Sequence, residues 1–205
     1  MARTKAKVAI VAGACLLLAV GTAAIILSSN SKTIRGIQSG WSVIRGDSGQ
    51  WNFWNYKVEA HSTSGESILA SKEQYGDVTL SADAGSSDLA ASLAIRLQDA
   101  RNGYFIVFAP AYTRVHPNAY IILAKRVSGR QTILASYEKQ KLLTVGYSAK
   151  IKVVAKGPSI EVFLNGSKVM EAEDTTFGTG SLGLRISGYS SSYPCDATFS
   201  HVTFY

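Results

Sequence analysis

Residues 159–172 read Ser-Ile-Glu-Val-Phe-Leu-Asn-Gly-Ser-Lys-Val-Met-Glu-Ala. Apolar and polar side chains alternate on both sides of the central Asn165-Gly166 pair, as in strands with one buried face. Asn-Gly between two alternating segments is a strong hairpin signal, because both residues of a tight hairpin turn adopt positive φ. The stretch therefore predicts two antiparallel strands, over residues 159–164 and 168–172.

Short apolar and β-branched runs recur between turn residues along most of the chain after Trp41, and none of it has apolar residues at helical spacing. The runs predict strands over residues 41–45, 57–61, 77–83, 91–97, 103–108, 119–126, 131–138, 149–155, 159–164, 168–172, 180–186 and 197–205. Residues 98–102 are predicted to join the fourth strand of this series to the fifth. So many strands in one unit predict two packed sheets, an all-β sandwich.

The alternation within residues 91–97 assigns side chains to faces. Leu93, Ile95 and Leu97 are expected to point into the core, whereas Arg96 is expected on the outer face with Ser92 and Ala94. Arg96 would then lie among the residues of a concave surface, which is the usual place for a sugar site in a curved sandwich. Residues 103–108 are apolar on both faces, which predicts a central strand.

The N-terminal region predicts a membrane segment. Residues 8–27 contain no charge, and a helix of this length spans roughly 30 Å of hydrocarbon. The basic Arg3, Lys5 and Lys7 precede it, which places the N-terminus in the cytoplasm. We therefore expect a basic cytoplasmic region over residues 1–7, one transmembrane signal anchor over 8–27, a linker over 28–37 and an extracytoplasmic β-sandwich over 38–205.

A cleaved signal peptide is the alternative interpretation of the same segment, and the protein would then be secreted. Gly21, Thr22, Ala23 and Ala24 are small enough for a cleavage site, but the apolar run is longer than a usual signal-peptide core. Both interpretations export the domain. Cys195 is the only cysteine outside the apolar run, so no internal disulfide is expected.

Charge and motifs limit the remaining chemistry. The net charge of +7 falls to a mild, scattered excess once the three N-terminal basic residues are set aside, so no nucleic-acid partner is expected. The three histidines show no metal-ligand spacing, and the glycine-rich run 178–183 continues as a strand. No cofactor is expected beyond a possible structural calcium at Glu171, Glu173 and Asp174, which otherwise form a solvated turn.

Two segments combine aromatic and amide or basic side chains. Trp51, Phe53, Trp54 and Tyr56 alternate with Asn and Gln over residues 50–56, a mixture that suits sugar stacking but also core packing. Trp54 is the ligand candidate of this segment. The loop at residues 109–118, with Tyr112, Arg114 and His116, is typical of a recognition loop at a sandwich rim.

Four segments together resemble a known family: residues 75–80, 94–104, 160–166 and 174–184. Their order is similar to the concanavalin A-like lectin/glucanase sandwiches, in particular the LamG-like and 3-keto-disaccharide hydrolase group. The resemblance implies a jelly roll whose concave face binds or hydrolyses glycans. Arg96, Asn102 and Tyr104 match the family's recurring strand pair, and the resemblance makes them ligand candidates. The acidic strand of the laminarinase-like glycosidases is absent from the sequence.

Three functions remain open. The first is a membrane-anchored extracytoplasmic module for carbohydrate binding or surface recognition, with a glycan or an envelope polysaccharide as its partner. The alternative is a glycoside hydrolase of the 3-keto-disaccharide type, for which Glu59, Asp99 and Glu173 are the candidate acids. The second alternative is a structural or protein-interaction domain of the envelope. Two carboxyl groups in an aromatic-lined cleft would favour the enzyme, aromatic and amide groups alone would favour the binding module, and no cleft would favour the structural domain.

Overall fold

The computed structural model describes residues 32–33, 40–46, 51–63, 65–86, 90–109, 119–139, 148–187 and 195–205. The predicted membrane segment and the residues Tyr112, Arg114 and His116 lie outside these ranges. Within them, no helix has the length and apolar composition needed to cross a bilayer.

The described residues form fifteen strands. They are β1 Lys32–Thr33, β2 Trp41–Arg45, β3 Trp51–Phe53, β4 Lys57–Ser62, β5 Glu66–Tyr75, β6 Val78–Ser86, β7 Ala90–Asp99, β8 Asn102–Ala109, β9 Ala119–Val127, β10 Arg130–Lys139, β11 Ser148–Lys156, β12 Ser159–Leu164, β13 Ser167–Glu173, β14 Gly180–Ser187 and β15 Cys195–Phe204.

These strands build two antiparallel sheets. An eight-stranded sheet has the order β13-β12-β11-β6-β15-β4-β3, with β1 paired to β15, and a seven-stranded sheet has the order β10-β9-β8-β7-β14-β5-β2. Consecutive strands such as β5, β6 and β7 lie in alternating sheets, as in a jelly roll. The predicted two-sheet antiparallel sandwich is confirmed.

All the predicted strands are present, with ends shifted by a few residues. The sequence prediction missed β1, β3 and β5. In β5, Ile68, Leu69 and Ala70 are all buried, so the strand lacks the alternation that marks a half-exposed one. The hairpin turns predicted at Asn165-Gly166 and Ser128-Gly129 both have positive φ at each residue, from 49° to 87°.

The main core fills the space between the sheets. Tyr104, Ile106 and Phe108 of β8 point into it, whereas Phe105 belongs to a smaller buried cluster on the outer face of the seven-stranded sheet. The prediction of a central strand, apolar on both faces, is confirmed because β8 lies between β7 and β9.

A β-bulge interrupts β7 at Arg96, which has φ of 50°. The pairing of β7 with β8 shifts register between Ile95 and Asp99. The bulge reverses the side-chain alternation. Leu97 therefore packs in the outer cluster, and Arg96 is buried with 1% of its surface exposed. The predicted faces of these two residues are wrong, since the period of two holds only as far as Ile95.

The connection between β7 and β8, which follows the bulge, is shorter than predicted. The prediction placed a loop over residues 98–102, but β7 continues to Asp99 and β8 begins at Asn102. Only two residues remain for the turn. Gly103, with φ of 149°, therefore lies inside the hairpin arm, where an added Cβ would come 2.6 Å from Leu97 Cδ2.

Gly180→Ala is expected to destabilise the fold by about 2–4 kcal/mol, because residue 180 has φ of 154° and an added Cβ would lie 2.4 Å from the carbonyl carbon of Arg96. Gly178→Ala is the matched control, since nothing lies within 4 Å of its added Cβ. Urea unfolding of both variants measures the difference. Equal stabilities would show that the bulge tolerates a side chain in β14.

Candidate functional site

An open cleft of about 400 Å³ lies on the outer face of the seven-stranded sheet. Buried Ala70 and Leu97 belong to its aliphatic part. Ile44 and Ala100 also line it. The polar and charged residues of the lining are Arg45, Ser71, Gln98, Asp99, Arg101 and Ser181. The cleft thus combines an apolar surface with groups that donate and accept hydrogen bonds.

The bulge in β7 positions one wall of this cleft. Residues 97–101 directly follow Arg96, and all of them line the cleft. The Nε2 of Gln98 donates to the carbonyl oxygen of Thr179 at 2.5 Å and to that of Arg96 at 3.3 Å. The bond to Thr179 connects the wall to the segment that enters β14, and the bond to Arg96 holds the side chain against its own strand.

A second feature of the same face is a carboxylate shared by three guanidinium groups. Glu66 Oε1 accepts from Arg126 Nη1 at 2.9 Å and from Arg185 Nε at 2.6 Å. Its Oε2 lies 2.5 Å from Arg45 Nε. The guanidinium carbons of Arg126 and Arg185 also lie 4.7 and 5.4 Å from the Phe105 ring centroid. We call Glu66, Arg45, Arg126 and Arg185 the arginine cluster; Arg45 connects it to the cleft.

The arginine cluster changes the ionisation of its members. Burial of Glu66 opposes ionisation, but the charges and hydrogen bonds of Arg185 and Arg126 outweigh it and lower the pKa of Glu66. Burial also lowers the pKa of Arg185, and the neighbouring charges of Arg126 and Arg45 contribute in the same direction. Glu66 is therefore ionised at neutral pH and is not a proton donor.

Asp99 is the carboxylate among the described cleft residues. Its Oδ1 accepts the backbone N–H of Arg101 at 2.6 Å, and its two oxygens accept from Asn102 Nδ2 at 2.9 and 2.8 Å. These bonds lower the pKa of Asp99, with the Arg101 N–H as the main cause. Asn102 Oδ1 in turn accepts from the backbone N–H of Ser128. Asn102 thus holds the cleft wall against the next hairpin.

The structure places Arg96 and Tyr104 away from solvent. Arg96 donates through Nε to the carbonyl oxygen of Gly76 at 3.1 Å and through Nη1 to that of Phe177 at 3.3 Å. The hydroxyl of Tyr104 donates to Asp174 Oδ1 at 2.6 Å, and burial followed by this bond raises the pKa of Tyr104 to about 12. Neither residue is among those that line the cleft, and their role as ligands stays a prediction.

Trp54 lies on the other sheet, between β3 and β4, with 55% of its surface exposed. Its indole N–H donates to Glu59 Oε2 at 2.9 Å.

The three candidate acids lie in different places. Glu59 pairs with Lys57 at 2.6 Å, and Glu173 ends β13 as an exposed residue. The candidate acids Glu59, Asp99 and Glu173 therefore do not converge, since Asp99 lines a cleft of the opposite sheet.

The acidic segment predicted as a turn or calcium site has cationic partners. Glu171 pairs with Lys168 at 2.8 Å, and Asp174 pairs with Lys125 at 2.5 Å. Among the described residues, no three His, Cys, Asp or Glu side chains are grouped so as to hold a metal ion.

Comparison with known proteins places this chain in a family. Residues 30–198 match the model of the 3-keto-alpha-glucoside-1,2-lyase-like domain. The chain belongs to this family. The resemblance to the 3-keto-disaccharide hydrolase group of concanavalin A-like sandwiches is thereby confirmed. No curated protein sequence matches the chain.

Solved structures share the fold at low sequence identity. A carbohydrate-binding module from Bacillus subtilis is 24% identical, with a TM-score of 0.66 over 80% of this chain and 94% of that one. A putative glycosyl hydrolase from Parabacteroides distasonis is 12% identical, with a TM-score of 0.64 over 87% and 94% of the two chains. A beta-glucanase from Bacillus licheniformis is 10% identical, with a TM-score of 0.60 over 80% and 91%.

Sequence reasoning missed the arginine cluster. Its members come from β2, β5, β9 and β14, and no local spacing connects them. One signal was present: Glu66 and Arg185 are charged residues next to apolar runs, and a charge within a central strand usually has a partner across the sheet.

Glu66→Gln is expected to destabilise the fold by about 3 kcal/mol at pH 7, because it leaves three guanidinium groups without their carboxylate. The pKa of Glu66 is lower in the folded chain than its ordinary value of 4.5. Its stabilising effect is therefore complete above pH 4.5 and is lost as the pH falls through the folded pKa.

Urea unfolding of the wild type and Glu66→Gln at several pH values between 7 and 3 measures this effect. The difference between the two should be largest at pH 7 and should shrink on acidification. Glu161→Gln, which breaks an ion pair with Lys168 on the other sheet, is the control and should cost no more than about 1 kcal/mol. A pH-independent difference for Glu66→Gln would contradict the assignment.

Proposed function

We propose that the chain is an extracytoplasmic carbohydrate-binding module that holds a glycan in the cleft of the seven-stranded sheet. The observation that carries the proposal is the cleft itself, with aliphatic Ala70 and Leu97 beside the polar Gln98, Asp99 and Arg101. A sugar ring has the complementary surface, since its C–H groups are apolar and its hydroxyls are both donors and acceptors.

Membership of the lyase-like family supports a second candidate, an enzyme that cleaves a 3-keto-glucoside in the same cleft. Such a reaction needs a base, and Asp99 is the carboxylate among the described lining residues. The lowered pKa of Asp99 makes it a weak base, and the lowered pKa of Glu66 leaves it without a proton to donate. Recognition without turnover therefore has the stronger support.

We further propose that residues 8–27 anchor the domain in the membrane, with residues 1–7 in the cytoplasm. The support is the length of the uncharged run and the basic residues before it. An anchored module would keep its glycan, such as an envelope polysaccharide, close to the cell surface.

Ser181→Trp is expected to weaken glycan binding at least tenfold, because Ser181 lines the cleft and an indole at this position fills it. Binding is measured on a glycan array with the purified full chain, and the glycans are then analysed by mass for cleavage products. Intact glycans support recognition. Cleavage that is lost in Asp99→Asn would instead establish the enzyme.

Two control variants locate the binding surface. Thr198→Trp introduces the same side chain on β15 of the eight-stranded sheet and should leave binding unchanged. Trp54→Ala should also leave it unchanged, because Trp54 lies on that sheet rather than at the cleft. Binding that is lost in Trp54→Ala but retained in Ser181→Trp would reject the cleft and move the glycan to the exposed tryptophan.

Membrane anchoring has its own measurement. The full chain expressed in bacteria should sediment with the membranes after alkaline carbonate extraction, and its mass should match all 205 residues. Replacement of Leu17 by Arg should release the chain from the membrane fraction, because a charge at the centre of the span costs about 2.5–3.5 kcal/mol. A mature chain that begins after Ala23 or Ala24 would establish the cleaved signal peptide instead.

A further inference from the structure

We propose that the cleft selects glycans that carry an anionic group, a carboxylate or a sulfate, over otherwise identical neutral glycans. This inference rests on the proposed function and specifies the ligand class of the same site. Its basis is an excess of positive charge at the cleft and in the adjoining arginine cluster.

The described residues around the cleft contain more cations than anions. Arg45 and Arg101 line the cleft, and Arg126 and Arg185 lie in the adjoining arginine cluster. Four guanidinium groups face two carboxylates, Glu66 and Asp99. Lys72 and Glu73, which follow along β5, contribute opposite charges and leave the excess unchanged.

Both carboxylates are already occupied. Glu66 accepts from three arginines. Asp99 accepts from the Arg101 backbone and from the Asn102 side chain. The arginines neutralise Glu66, whereas the donors to Asp99 are neutral and leave its charge in place; the four guanidinium groups still outnumber the two carboxylates. The Nε of Arg126 is buried and has no hydrogen-bond partner within the described part of the chain. The arginine cluster therefore holds more donors than its own acceptors satisfy.

Two of the four guanidinium groups remain accessible to a ligand. The side chain of Arg45 is 49% exposed, and its Nε pairs with Glu66. Arg101 is exposed and donates through Nη2 to the carbonyl oxygen of Ser128 at 2.9 Å. A guanidinium with a free pair of N–H groups matches the two oxygens of a carboxylate or sulfate.

The alternative interpretation is that these arginines only stabilise the sheet. Arg126 and Arg185 fit it, since both are largely buried, contact Phe105 and share Glu66. Arg45 and Arg101 fit it less well, because each is exposed at the cleft and uses only part of its donors within the described residues. The experiment therefore targets these two residues and leaves Arg126 and Arg185 intact.

Calorimetric titration of the full chain in a neutral detergent compares matched glycans. The pairs are oligogalacturonate and its methyl ester, oligomannuronate and oligomannose, and sulfated and unsulfated galacto-oligosaccharides. The anionic member of at least one pair is expected to bind about tenfold more tightly, because a charge-assisted hydrogen bond is roughly twice as strong as a neutral one. Added salt should weaken only the anionic member.

Arg45→Gln and Arg101→Gln should each reduce the affinity for the anionic glycan towards that of its neutral counterpart, while the affinity for the neutral one changes little. Arg101 makes no ion pair within the described residues, so its variant should fold even if Arg45→Gln is destabilised. Lys168→Gln removes the same charge from the other sheet and should keep the preference, which separates a local effect from net charge.

The outcomes separate the two proposals. Equal binding of both members of every pair, lost in Ser181→Trp, would overturn the anionic preference and leave glycan recognition standing. A preference that persists in both arginine variants would also overturn it. No binding of any glycan would reject the proposed function, and the inference with it. The carboxylate and sulfate pairs identify which anion the cleft binds.

Discussion

The β-bulge at Arg96 is the constraint on which the cleft-bearing face of the seven-stranded sheet depends. An L-residue with φ of 50° inside a strand is strained, and the structure accommodates it by placing glycine in each neighbouring strand, Gly103 in β8 and Gly180 in β14. The bulge turns Arg96 inwards, where it binds two backbone carbonyls. It also turns Leu97 outwards and directs the next four residues into the cleft wall. One local departure from regular pairing thus determines both a buried contact and a surface.

The seven-stranded sheet is stabilised on its outer face as well as in the core. Phe105, Leu97, Ile68 and Ala94 form a buried layer there, and no second sheet of the described strands covers it. The guanidinium groups of Arg126 and Arg185 lie above Phe105 and share Glu66, so long charged side chains shield an apolar surface that strand pairing alone would leave open. The cleft lies beside this layer. Its positive charge and its aliphatic surface therefore have the same structural origin.

The two outer faces of the sandwich have different chemistry. The eight-stranded sheet presents Trp54 and Tyr56, together with exposed polar pairs such as the hydrogen-bonded His61 and Asp196. The seven-stranded sheet presents a cleft with aliphatic and cationic lining. The three predicted ligand residues from β7 and β8 lie in the same sheet as the cleft, but only Asn102 contributes to its wall, through Asp99. Trp54 is separated from them by the thickness of the sandwich. The family and its fold are compatible with a glycan site on either face. The proposal of the cleft rests on its volume of about 400 Å³.

The sequence by itself determined the fold class. Two local signals were enough: the alternation of apolar and polar side chains, and the turn sequences Asn165-Gly166 and Ser128-Gly129. Both are local because the strand period and a positive-φ turn depend only on residues that are neighbours in the sequence. Only the tertiary structure decided the site. The predicted faces of Leu97 and Arg96 were wrong because the bulge depends on glycines in two other strands. The strand β5 was missed because residues on both of its faces are buried. The arginine cluster draws residues from four strands that become neighbours only when the sheet pairs. Contacts of this kind follow from strand order, which the local sequence pattern does not encode.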